Sequence, residues 1–253
     1  MNKESVNKVD INLLQQQNFK EILQEMSGVD GWETLENSDL LALKAPSAIN
    51  FVNFVWGVSS QENIIKVKSF YGNAKFSWIT NIEDDVNNLT GSGFILDYDN
   101  FPEMVLNLDE YQIPYTNPNI KTTIPQTKVE LDLWAITASK TFGCSDDEFK
   151  EFFYPLVNFG NCIPVLVMYH EKPAGTAMIY CGKNSAGIYA MSTLEEYRRK
   201  GCGMVAVNAC VKLAKSHDLN KIVLHSSKLG EKLYKKNGFK ETHRLQEWHL
   251  SEI

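Results

Sequence analysis

Residues 187–239, GIYAMSTLEEYRRKGCGMVAVNACVKLAKSHDLNKIVLHSSKLGEKLYKKNGF, read as a strand, a glycine turn, a long helix, a second strand and a short helix. The turn Arg198-Arg199-Lys200-Gly201-Cys202-Gly203 opens directly into an apolar helix over 204–215, so unpaired helix N–H groups and the positive end of the dipole face whatever lies above it. That terminus suits an anion. Two glycines one residue apart let the backbone tighten and approach a ligand closely, and three consecutive cations add charge there. A ligand carrying a pyrophosphate fits such a turn.

Two common nucleotide motifs fail on spacing. A Rossmann fingerprint calls for a third glycine where Ala206 stands, and a P-loop calls for G-x-x-x-x-G-K-S/T, which Gly201 does not begin. The residues resemble instead the GCN5-related N-acetyltransferase (GNAT) family, whose pattern is Q/R-x-x-G-x-G/A at the start of a helix. Arg198, Gly201 and Gly203 satisfy it. In that family a later segment ends in a tyrosine followed by a Gly-Phe pair, and Tyr234 with Gly238-Phe239 reproduces this.

The resemblance implies an α/β fold with a mixed, mostly antiparallel sheet flanked by helices and splayed at the turn. It implies acetyl-CoA as co-substrate, its pyrophosphate cradled by the amides of Arg199, Lys200, Gly201, Cys202, Gly203 and Met204 beside Arg198. The strand around Met191, Ser192 and Thr193 would hydrogen-bond the pantetheine arm as an added β-strand does. An amide of that strand would stabilise the oxyanion. Tyr234 would donate to the departing thiolate, which from a phenol of pKa ~10 to a thiol of ~8.5 costs about 2 kcal/mol. The implied reaction is direct transfer of acetyl to a primary amine, small or on a protein.

Charge distribution agrees with a polyanionic ligand. Residues 195–240 hold eleven basic and four acidic residues, a surplus of seven in a chain of net charge −6, so the remainder carries −13. The lysines are not interleaved with aromatics, and no nucleic-acid partner is expected.

The sequence departs from the family pattern at Ser227, where Asn is usual, and at Gly230, where Ala is usual. Ser227 still offers one hydrogen bond on the cofactor side. A general base is not assigned, although an amine of pKa ~10.4 needs roughly 4.6 kcal/mol to be neutral at pH 7. Glu195, Glu196, His225 or a water chain are the candidates.

With 253 residues and 43% hydrophobic content the chain accommodates one large domain or two modest ones. No apolar run reaches the length of a membrane span and no signal core is present, so a cytoplasmic protein with no membrane partner is expected. Five scattered cysteines and five histidines suggest neither a disulfide framework nor a metal site.

Residues 111–126, with three prolines, read as a connection. After it helices are expected at 131–142 and 146–158, the second opened by a Ser145/Glu148 capping box, and then a three-strand meander ending in 187–193. The first half echoes this ending with a strand at 75–80, a helix at 83–89, Gly93-Phe94 and a strand at 104–108, which sets Leu89 opposite Tyr234. It contains no R-x-x-G-x-G. Residues 1–115 are therefore expected to be a degenerate GNAT-like domain and 116–253 the acetyl-CoA-binding one. The acidic first half, through Asp84, Asp85, Asp97 or Asp99, would select a cationic acceptor. A catalytically silent acyl-CoA sensor and a protein-interaction module remain the other two readings.

Overall fold

The computed structural model describes residues 11, 13–46, 52–114 and 117–251. In chain order the first half holds α1 (Leu14–Met26), β1 (Glu33–Glu36), β2 (Leu40–Lys44), β3 (Phe54–Gly57), α2 (Gln61–Tyr71), β4 (Ser77–Asn81), α3 (Asn87–Gly91) and β5 (Phe94–Asn107). The second holds β6 (Ile120–Thr123), α4 (Lys128–Phe142), α5 (Asp146–Asn158), β7 (Cys162–Tyr169), β8 (Lys172–Cys181), β9 (Ala186–Thr193), α6 (Cys202–Ser216), β10 (Lys221–His225), α7 (Glu231–Lys236) and β11 (Lys240–Leu250).

Local chemistry sets most boundaries. The Ser145/Glu148 capping box opens α5, and a second box, Thr127 with Glu130, opens α4 three residues before the expected start. The expected helix at 83–89 begins only at Asn87. Asp84 accepts from the Asn81 amide at 2.8 Å and Asp85 from the Asn87 amide at 3.0 Å, and these side-chain bonds replace the first helical turn. The proline-rich connection is not wholly irregular, since β6 lies within it and pairs with β7.

The eleven strands of the described residues join one sheet, in the order β1-β2-β3-β4-β11-β5-β10-β9-β8-β7-β6. Its pairings are antiparallel except at two places, β3 with β4 and β9 with β10. Each parallel pair is joined by one helix, α2 in the first half and α6 in the second. The mixed, mostly antiparallel sheet matches the fold class expected from sequence. The two halves also exchange their last strands. β5 lies between β11 and β10, and β11 lies between β4 and β5.

One face of the second half buries α6 and Tyr234 against Ile188, Ile222 and Leu224. The opposite face buries Trp134, Phe149 and Phe153 of α4 and α5 together with Ile22, Leu23 and Met26 of α1. Helix α1, from the first half of the sequence, thus shares the core of the second. Among the described residues no helix is long and apolar enough to cross a membrane.

Candidate active site

β10 accompanies β9 only through Ile222↔Ala186 and Val223↔Gly187. Beyond that point the two strands diverge, and among the described residues the edge of β9 turned away from β8 carries no strand over residues 188–193. Strand β9 also bulges there, because Ala190 adopts φ +46° and the register with β8 slips between Thr176 and Met178. A left-handed alanine costs of order 1–3 kcal/mol, and such strain collects at functional sites. The exposed amides and carbonyls of an open strand edge accept an extended ligand arm.

The glycine turn closes one end of this opening. Arg199 takes φ +62° and Gly201 φ +100°, and α6 then starts at Cys202 with no side-chain cap. Its first amides are therefore left for a ligand or water. The Arg198 side chain donates from Nε to the Thr193 carbonyl at 3.3 Å, tying the turn to the end of β9. Lys200 Nζ sits over the rings of Tyr169 and Tyr197, at 5.2 and 5.3 Å. The fit to a pyrophosphate is thus one of bare helix amides, a left-handed glycine and three surface cations.

The two glycines differ in what they do. A Cβ on Gly201 would meet only Ile120 at 3.5 Å, whereas one on Gly203 would lie 2.7 Å from Leu233 of α7. At Gly203 an added side chain would make the Leu233 methyl groups shift, one residue before Tyr234 on α7. Cys202 is buried and its thiol is pushed up by that burial, so it is a packing residue whose backbone alone faces the turn. Met204 occupies the third position of the same helix.

Tyr234 is 5% exposed and packs edge-to-face on Phe239 at 5.4 Å. Burial and the nearby Cys210 push its phenol well above 10, which holds it protonated at neutral pH. Met191 packs against the same cluster. The Ser192 hydroxyl is shared with Thr176 at 2.8 Å, and the Ser227 hydroxyl accepts from the Gly230 amide at 3.2 Å in the turn that precedes α7. Leu89, which the sequence register sets opposite Tyr234, is a fully buried packing residue.

The candidate bases separate clearly. Glu195 and Glu196 stand exposed on a short 3-10 turn. His225 instead closes β10 on the face opposite Tyr234, with its ring stacked on Trp56 at 5.3 Å and against Phe19 at 5.8 Å. Its Nε2 lies 3.1 Å from Oε1 of Glu103, a carboxylate with 0% exposure. Sequence reading missed Phe19, Trp56 and Glu103. The signal for Glu103 was available, since it is the one charge in the otherwise apolar run 101–106.

A cavity of about 650 Å³ lies not in the β9–β10 opening but at the ends of β3 and β4. Phe19 and Trp56, whose rings also contact His225, wall it, and Asp39, Asp84 and Asp85 line it with a single lysine, Lys20, that is paired with Glu36. Asp97 and Asp99 are elsewhere, on β5, facing His249 and Gln246.

Residues 131–239 match the profile of the Acetyltransferase (GNAT) family, a span that holds β9, the glycine turn, α6, β10 and Tyr234. This segment is a GNAT domain. A protein of Bacillus subtilis (strain 168) that carries an acetyltransferase name is 28% identical over 99 residues, 39% of this chain and 65% of its own length. A GCN5-related N-acetyltransferase from Kribbella flavida superposes with TM-score 0.71 at 12% identity, covering 94% of this chain and 96% of that one. A tandem GNAT protein from the clavulanic acid biosynthesis pathway gives TM-score 0.59 at 10% identity, covering 94% and 95%. Nearly the whole chain therefore has the fold of GNAT proteins. Two walls of the site come from outside the GNAT domain, namely α1 with Phe19 and β5 with Glu103.

Proposed function

We propose that this protein is an N-acetyltransferase that moves the acetyl group of acetyl-CoA directly to a primary amine. The observation that carries the reading is the open edge of β9 leading from an uncapped, cation-flanked helix terminus to the buried phenol of Tyr234. Residues 1–115 are read as a degenerate GNAT-like unit and 116–253 as the cofactor-binding one. The repeated strand–helix–parallel strand unit in both halves supports this.

Acetyl-CoA, when bound, supplies a thioester activated for acyl transfer. The chain's own part is to hold the donor along β9, present hydrogen-bond donors from that edge, and donate a hydrogen bond from Tyr234 to sulfur as the C–S bond breaks. The acceptor would enter through the cavity beside Trp56, whose three aspartates favour a cation. Five unpaired cysteines suit a reducing compartment, in keeping with a cytoplasmic enzyme.

The test is thiol release from acetyl-CoA against a panel of polyamines, amino acids, aminoglycosides and peptides with free amines. Turnover with a cationic amine is expected, with its KM raised about tenfold or more when Asp84 and Asp85 are both changed to Lys and the KM for acetyl-CoA unchanged. Binding of acetyl-CoA with no turnover on any amine would favour a silent sensor, and no binding at all an interaction module.

A further inference from the structure

Glu103 is the most deeply buried charged side chain beside the proposed site, and it belongs to the other half of the molecule. It stands on β5, where cross-strand pairing sets it opposite His225 of β10 on one side and His243 of β11 on the other. Its Oε1 lies 3.1 Å from His225 Nε2, while Oε2 has no hydrogen-bond partner and stands 3.6 Å from His243 Nδ1. A wholly buried carboxylate with one oxygen unsatisfied is costly, so it is retained where its charge has use.

Alternation along β10 fixes which way His225 looks. Ile222 and Leu224 pack with Tyr234 on the α6 face, while Val223 packs with Leu14 of α1 and His225 with Phe19. The β9–β10 opening is therefore flanked by Tyr234 on one face of the sheet and by His225 on the other, the face that meets the aspartate-lined cavity through Trp56.

We propose that His225 is the proton acceptor for the attacking amine and that Glu103 positions it, which makes the exchanged strand β5 part of the catalytic apparatus. The inference rests on the acetyltransferase reading. A carboxylate only accepts hydrogen bonds, so it holds the ring proton on Nε2 and leaves the Nδ1 lone pair for the substrate. The entering ammonium gives one proton to Nδ1, the neutral nitrogen forms the bond to the acetyl carbon as the C–S bond breaks, its second proton leaves to solvent, and the departing thiolate, held by a hydrogen bond from Tyr234, is protonated by solvent. Solvent then removes the proton from His225. His243 is the second imidazole on the same carboxylate, and its replacement serves as the control.

The experiment uses the full chain with acetyl-CoA, and diethyl pyrocarbonate as a histidine probe read by peptide mass spectrometry. His225 is expected to be carbethoxylated in the free protein, at least fivefold more slowly when acetyl-CoA is saturating, and at least threefold more slowly in a Glu103→Gln variant that melts normally and keeps its acetyl-CoA affinity. With the amine that turns over best, His225→Gln lowers kcat about 100-fold or more, as loss of a general base does, with KM for acetyl-CoA within twofold. Added imidazole restores part of the rate to His225→Gly, and His243→Gln leaves kcat within threefold. Labelling of His225 that ignores both acetyl-CoA and Glu103, or a kcat untouched by His225→Gln, overturns the proposal while leaving acetyl transfer intact. Failure of wild type to bind acetyl-CoA by calorimetry would instead remove the reading beneath it.

Discussion

Tyr234→Phe is expected to lower kcat for amine acetylation about 100-fold and to leave the KM for acetyl-CoA within a factor of two. The phenol is held neutral by burial and by Cys210, so it is a hydrogen-bond donor throughout the physiological range. Because its proton is bound more tightly than that of free tyrosine, full transfer to a thiolate is more uphill than the about 2 kcal/mol that separates ordinary phenol and thiol values. Its benefit lies in donation to sulfur as negative charge develops there, and a hydrogen bond to a charged group is worth ~1.5–3 kcal/mol. An effect confined to the transition state appears in kcat rather than KM. The ring stays packed on Phe239 in the variant, so its melting temperature should stay within a few degrees of wild type. Retention of kcat within threefold would remove Tyr234 from the mechanism.

The second large effect is expected at the turn. Arg199→Glu combined with Lys200→Glu reverses two charges beside the bare terminus of α6, and acetyl-CoA affinity should fall at least 100-fold in a calorimetric titration. Both side chains are exposed, with only the Lys200 Nζ over the rings of Tyr169 and Tyr197, so folding should be little affected. Exposed charges are screened within about 8 Å at physiological ionic strength, and the gap between wild type and variant should narrow as salt is raised. An unchanged affinity would mean that the pyrophosphate lies elsewhere. Gly203→Glu is a poorer probe, because the Cβ at that position meets the Leu233 side chain next to Tyr234, so packing and charge change together.

The second half was legible because its signals are local. Helix caps, the apolar runs of β7 to β9 separated by short turns and the glycine turn each act within a few residues, and each appears where its chemistry puts it. The boundary at residue 83 failed for an equally local reason, since two aspartates satisfy the backbone in place of a helical turn. What sequence did not reveal is non-local. The exchange of β5 and β11, the packing of α1 on the second half and the row His225–Glu103–His243 depend on pairings across more than 100 residues, for which no periodicity exists. The role of Gly203 is of the same kind, because its neighbour Leu233 lies thirty residues away.

Hydrogen exchange read by mass spectrometry, with and without saturating acetyl-CoA, tests the central claim most directly because it reports binding and place together. Slowed exchange in peptides covering 188–193 and 199–204, with residues 54–61 of the first half unchanged, is the predicted result. No protection anywhere, or protection confined to 54–61 and 77–88, would contradict a donor cleft between β9 and β10.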